Sequence, residues 1–232
     1  MKLYRFPGSG GSGGASKLFV GGLHGNEGLY TAPILETLAS EAEVELESEV
    51  EVEVEVDGND NNSDVIIVPS LTMGGRYIGV LSKGYYRSRE GMILTGLIKR
   101  YKPSFYFELH AYGESSYPRL TNPEREKIEG VPPFVDLDDH THNHILLGSI
   151  APVLRKLFST RDFCLTIELP KRRSDEDEVR EEVLVILRIG LRSETRAEML
   201  TQLRKMYPDA LRRAEALFMQ YYHSRLEPFE PF

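Results

Sequence analysis

The stretch Leu18-Phe19-Val20-Gly21-Gly22-Leu23-His24-Gly25-Asn26-Glu27-Gly28 constrains the fold more than any other part of the chain. A short apolar run reads as a buried strand, and the two glycines read as a sharp exit from it. The segment from Tyr30 to Ala39 then has the pattern of a helix. A strand leading directly into a helix is the opening of an α/β sheet. His24 and Glu27 fall in the connecting loop, at the carboxyl end of the strand, where open α/β sheets place their ligands. An imidazole and a carboxylate this close supply two of the three protein ligands that a catalytic zinc needs.

Two further runs repeat the theme. Tyr106-Phe107-Glu108-Leu109-His110 is apolar and ends in a histidine, and Cys164-Leu165-Thr166-Ile167-Glu168-Leu169-Pro170 is apolar and carries a carboxylate. Together with the opening Gly-Gly-x-His-Gly-Asn-Glu, these stretches resemble the zinc carboxypeptidase superfamily, most closely its succinylglutamate desuccinylase and aspartoacylase branch. Glu108-Leu109-His110 is similar to that branch's Asp-Leu-His strand, and Thr166-Ile167-Glu168 resembles the strand bearing its catalytic glutamate. The resemblance runs from about Lys17 to Pro170 and extends to an uncharacterised archaeal offshoot of the group. It implies His24, Glu27 and His110 as ligands of one Zn2+ per chain and Glu168 as the general base. Arg76-Tyr77-Ile78 resembles the branch's Arg-Tyr-Ile segment, which implies Arg76 as the donor to the developing oxyanion. The branch's Asp-Leu-Asn-Arg motif for a substrate carboxylate is absent. Tyr85-Tyr86-Arg87 stands near its place, so Arg87, with Asn26 and Tyr112, is a candidate for substrate binding.

The chain has 232 residues, 41% of them apolar, enough for one α/β domain with a sizeable core. The expected architecture is a mixed, mostly parallel central sheet flanked by helices. A catalytic core would span 1–170 and a helical segment 171–232. A net charge of −8 argues against a general nucleic-acid binder, which needs a basic face. No window approaches the roughly twenty apolar residues of a membrane span. No charged-then-apolar leader precedes the first strand, so a cytoplasmic protein is expected. The single cysteine, Cys164, excludes an internal disulfide framework and reads as a core residue.

Along the chain, Lys2 to Phe6 reads as a first strand. Gly8 to Ser16 reads as a loose turn or linker; a phosphate-cradling loop would end in Gly-Lys-Ser/Thr, which is missing. Val44 to Val56 alternates valine or leucine with glutamate, the pattern of an edge strand with an acidic, water-facing side. Val65 to Val68 reads as a central strand stopped by Pro69, and Met92 to Tyr101 as a helix. Gly113 to Asp139 reads as a long surface loop, and His144 to Phe158 as a helix. Ser174 is the expected N-cap of a helix whose apolar face is Val179, Val183, Leu184, Leu187 and Leu191. Helices are also expected over Thr195 to Met206 and Asp209 to Tyr222. His140, His142 and His144 alternate along an extended segment and could face one metal, although such a loop more often takes up metal adventitiously.

The chemistry expected of this set is hydrolysis of an amide in a small-molecule or peptide substrate. Glu168, between Ile167 and Leu169, would be desolvated and its pKa raised toward the working range of a base. An ion pair within the core is the competing role for this carboxylate. Glu108 shares a face with His110 on a regular strand and could hold an imidazole in place. Deacylation of an N-acyl amino acid or related small amide leads. A metallocarboxypeptidase and a non-catalytic zinc-binding protein are the alternatives.

Overall fold

The computed structural model describes residues 1–7, 14–46, 64–72, 74–75, 77–137 and 143–222. In chain order they form β1 (Tyr4–Phe6), β2 (Lys17–Gly21), α1 (Gly28–Leu46), β3 (Val65–Val68), α2 (Arg89–Tyr101) and β4 (Phe105–Tyr112). There follow α3 (Tyr117–Leu120), α4 (Arg125–Glu129), β5 (Val135–Asp136), β6 (Leu146–Gly148), α5 (Pro152–Arg155) and β7 (Phe163–Pro170). The chain then closes with α6 (Asp177–Arg192), α7 (Arg196–Met206) and α8 (Pro208–Tyr222).

The seven strands make one mixed sheet in the order β1-β3-β2-β4-β7-β6-β5. The centre, β3-β2-β4-β7, is parallel, and β1, β6 and β5 join antiparallel at the two edges. From β2 the chain crosses through α1 to β3 on one side, then returns through α2 to β4 on the other. That reversal opens a crevice beyond the carboxyl ends of β2 and β4, the usual ligand position in such sheets.

Strand periodicity divides the two faces. Phe105, Phe107, Leu109 and Ala111 of β4 join Phe163, Leu165, Ile167 and Leu169 of β7 in the larger core, under α1 and α6. The alternate residues point the other way. Tyr106 packs with Leu94 and Ile98 of α2, and towards the carboxyl ends this face turns polar, with Glu108 and His110 beside Thr166 and Glu168. The whole apolar set expected on α6 is buried, and Thr195 caps α7 in a reciprocal capping box with Glu198.

Several expectations are corrected. Val44 and Glu45 belong to α1 and not to a strand, because Glu41 and Glu45 are held by Arg188 and Arg192 of α6. The rest of the glutamate-rich alternation, 47–56, lies outside the described residues, as do 8–13 of the glycine-rich stretch. The segment from His144 to Phe158 is no helix: Leu146–Gly148 pairs antiparallel with β7, and helix starts only at Pro152. An open strand edge recruited this segment, a long-range event that its local pattern does not record. Residues 113–137 contain α3, α4 and β5 where a loop was expected. The cap of α6 is Glu176; Ser174 instead donates to the Lys171 carbonyl at 2.9 Å.

Candidate metal centre

The site starts from the turn between β2 and α1. Gly22 takes φ +55°, which favours glycine, and the chain turns at once toward α1. Tyr85, fully buried, donates its hydroxyl to the Leu23 carbonyl at 3.0 Å and pins the turn from the α2 side. His24 and Glu27 are both buried as a result. On β4, His110 is carried to the same point by strand register.

His24, Glu27 and His110 each present one ligand atom, all within 4.8 Å of one another. Glu27 Oε2 lies 3.2 Å from His24 Nδ1 and 3.3 Å from His110 Nδ1. Among the described residues this is the group that could hold a metal ion. His24 Nδ1 and Glu27 Oε2 are buried without a hydrogen-bond partner, and buried polar atoms seldom stay so unless something satisfies them. A cation between these atoms satisfies them, and two nitrogens with one carboxylate oxygen suit zinc.

Electrostatics point the same way. Burial, with His110 adding to it, pushes His24 down to about 4, so its ring keeps a lone pair at neutral pH. Burial also opposes charge on His110, but Glu27 and Glu108 outweigh it and hold its proton affinity well above the ordinary range. Two carboxylates flanking one imidazole call for positive charge at this point. Glu108 is itself buried, accepting from Tyr106 Oη at 2.9 Å and Thr166 Oγ1 at 2.7 Å, and lies 3.6 Å from His110 Nε2. Although burial raises its pKa, the bonds from His110, Thr166 and Tyr106 prevail and keep it low. That carboxylate lies on the Nε2 side of the ring and Glu27 on the Nδ1 side, although His110 Nε2 is itself buried without a hydrogen-bond partner.

Glu168 is the cross-strand neighbour of His110. Burial chiefly, with the charge of Glu27, pushes its carboxyl up to about 7 against the pull of His110. It makes no hydrogen bond or ion pair among the described residues and lines a cavity of about 480 Å³ together with His24, His110 and Thr166. Among the described residues, then, the core ion pair considered for this carboxylate has no partner.

The other candidates separate. Arg76 lies outside the described residues, as do His140 and His142. Tyr77, beside Arg76, sets its ring edge against His24 at 4.4 Å between centroids and lines the cavity. Arg87 is exposed on a single 3-10 turn, and Asn26 is exposed in the β2–α1 turn; neither lines the cavity. Tyr112 is buried, its hydroxyl donated to the His144 carbonyl at 2.6 Å. His144 meets Asp136 Oδ2 at 2.9 Å. Cys164, its thiol pushed up to about 12 by burial, has no nucleophilic character.

Sequence reasoning missed Arg119, Arg125 and Glu129, which wall the cavity opposite the sheet. The Arg125–Glu129 spacing of four was a visible helical pair, but its position inside an apparent loop concealed it.

A mixed α/β sheet with a His, Glu, His cluster at the carboxyl ends of its central strands defines the class. The chain belongs to the family described as "Uncharacterized protein conserved in archaea (DUF2119)", which matches residues 12–223. It is similar to "Uncharacterized protein MJ0501" of Methanocaldococcus jannaschii, with 40% identity over 221 residues covering 95% of this chain and 96% of that protein. No solved structure matches the chain. No helix among the described residues is long and apolar enough to cross a membrane.

Proposed function

We propose that this protein is a zinc-dependent hydrolase of an amide bond, acting on an N-acyl amino acid or related small amide. The observation that carries the reading is the convergence of three buried ligand atoms beside a carboxyl group pushed up to about 7 in an open cavity. The likeness of these same residues to the zinc carboxypeptidase superfamily supports it. A cytoplasmic setting is part of the proposal, consistent with an acidic chain holding one cysteine.

Zinc held by His24, Glu27 and His110 would lower the pKa of water toward about 7 and polarise the scissile carbonyl. The protein's own residues do the rest. Glu168, with a pKa near 7, takes a proton from the attacking water and returns it to the leaving amine. Glu108, braced by Tyr106 and Thr166, sets a negative charge 3.6 Å from His110 Nε2. Arg76, which precedes Tyr77 in the sequence, is the proposed donor to the oxyanion.

Two measurements test the reading. Elemental analysis is expected to find about one zinc per chain, retained in His142→Ala and lost in His24→Ala; full occupancy in His24→Ala removes the site. In a screen of N-acyl amino acids, Glu168→Gln is expected to remain zinc-loaded while kcat falls by about 10²–10⁴, the range for a lost general base. Unchanged kcat in that variant removes Glu168 from the mechanism.

A further inference from the structure

A second cavity lies apart from the metal cluster, where the sheet opens at one edge. Leu146, Leu147 and Gly148 of β6 pair with Glu168, Ile167 and Thr166 of β7, and the pairing stops there. Phe163, Cys164 and Leu165, the first residues of β7, line a cavity of about 110 Å³ at this edge. Leu200 and Leu203 of α7 and Leu217 and Phe218 of α8 form its apolar wall. Arg155, Asp162 and Arg196 also line it. Arg155 is only 6% exposed, yet it donates to two neutral acceptors, Cys164 Sγ at 3.4 Å and the Ser159 carbonyl at 2.8 Å. It forms no ion pair among the described residues, although buried charges are ordinarily paired. Arg196 Nη1 donates to the Thr160 carbonyl at 3.1 Å, and its guanidinium stands over the Phe218 ring at 5.7 Å. Burial, and then the charge of Arg155, lower the Arg196 pKa, so the two guanidiniums repel each other. Asp162 Oδ2 accepts from the Ser159 N–H at 2.6 Å, and burial raises its pKa against that bond and the charge of Arg155. Glu215, the other carboxylate of the lining, is held by Arg204. Two positive charges thus face one negative charge beside an apolar space.

We propose that this cavity binds a monocarboxylate with a compact apolar body, of about the size of benzoate, with its carboxylate against Arg155 and Arg196. One negative charge balances the excess there, and a guanidinium fork matches the two oxygens of a carboxylate. The apolar body takes the space among the leucines and Phe218. Cavities of about 150 Å³ lined by leucine and phenylalanine take up benzene, so a single ring suits this one and a nucleotide does not. Holding the loop at Ser159 and Thr160 accounts for one bond from each arginine, but not for the surplus charge. The site uses neither the metal ligands nor Glu168, so it stands or falls independently of the hydrolase reading. Ser149 lines both cavities, which puts the occupant of this one next to the wall of the other.

Isothermal titration of the full chain, kept metal-free with a chelator, tests the site without turnover and without zinc competing for the carboxylate. Benzoate is expected to bind about tenfold or more tightly than benzamide, which lacks the charge, as charge-assisted hydrogen bonds allow. It is expected to exceed acetate, which lacks the apolar body, by a similar factor. Phenyl phosphate is expected to bind no more tightly than benzoate. Arg196→Met keeps an unbranched side chain at a half-buried position and is expected to bring benzoate down to the level of benzamide. Ala214→Trp, on the α8 wall of the cavity, is expected to fill the space and abolish benzoate binding. Leu217→Trp fills the same space if the first tryptophan variant lacks a cooperative thermal transition. Arg119→Ala, in the metal-facing cavity, is expected to leave benzoate binding unchanged. Benzoate that binds no better than acetate or benzamide overturns the site. Binding that persists in a folded tryptophan variant, or that is lost in Arg119→Ala, also overturns it by placing benzoate elsewhere. Undiminished binding in Arg196→Met, or a tighter phenyl phosphate, overturns the carboxylate assignment.

Discussion

Glu168 belongs to the sheet by its backbone and to the cavity by its carboxyl group, and its chemistry follows from that division. Its pKa of about 7 in the fold exceeds the ordinary 4.5, chiefly through burial. A group raised in this way contributes stability that is complete below the unfolded pKa and lost as pH rises through the folded value. In metal-free protein, wild type is therefore expected to lose stability relative to Glu168→Gln between pH 4.5 and about 7, with a constant difference at lower pH. Thermal denaturation of both proteins from pH 4 to 8 measures this, and parallel curves across that window would falsify the assignment. The same desolvation that costs stability makes the carboxyl group a competent base at neutral pH.

The β2–α1 turn decides where His24 and Glu27 point. Gly22 sits at φ +55°, and a Cβ there would lie 2.9 Å from the Gly28 Cα. Placing an L-residue in that conformation costs about 1–2 kcal/mol before the clash is counted. Gly22→Ala is thus expected to lower stability by more than about 1 kcal/mol and to weaken zinc binding, because the two ligands lose their shared support. Gly96, exposed within α2 and with open space where a methyl group would stand, provides the opposite case. Gly96→Ala is expected to stabilise by about 0.5–1 kcal/mol and leave zinc affinity alone. Equal responses in urea denaturation would mean that the turn does not aim the ligands.

At the scale of the molecule, the sheet order brings residues from distant stretches into one crevice. The metal ligands come from β4 and the turn after β2, the base from β7, and the arginines from α3 and α4. A cation joining such separate parts stabilises the folded state alone, by about 2.7 kcal/mol at a hundred times its Kd. For a chain of this size that raises Tm by about 5–10 °C. Wild type is expected to show this rise on zinc addition and His24→Ala to show none. A shift of the same size in both proteins would assign the effect to another site.

Much of this was readable one residue at a time. The apolar runs of β2, β3, β4 and β7, the two glycines after β2 and the helical face of α6 follow from local periodicity, because burying a strand or a helix imposes a period of two or 3.6. The same periodicity put Glu108 with His110 on one face, and motif spacing singled out His24 and Glu27, while the resemblance to the zinc carboxypeptidase superfamily pointed to His110 and Glu168. What local pattern could not decide was any choice made by a distant partner. Val44 and Glu45 alternate like a strand, yet the ion pairs of α6 with α1 hold them in a helix. Leu146–Gly148 became a strand because β7 offered an open edge. Arg119 and Arg125 became part of the site because α3 and α4 fold across the polar face of the sheet, whereas Arg87, nearer in sequence to the expected motif, stays exposed at the surface. Periodicity is a property of neighbours along the chain and was legible there; the arginine wall depends on which elements pack together, and that is settled only when the sheet closes over its core.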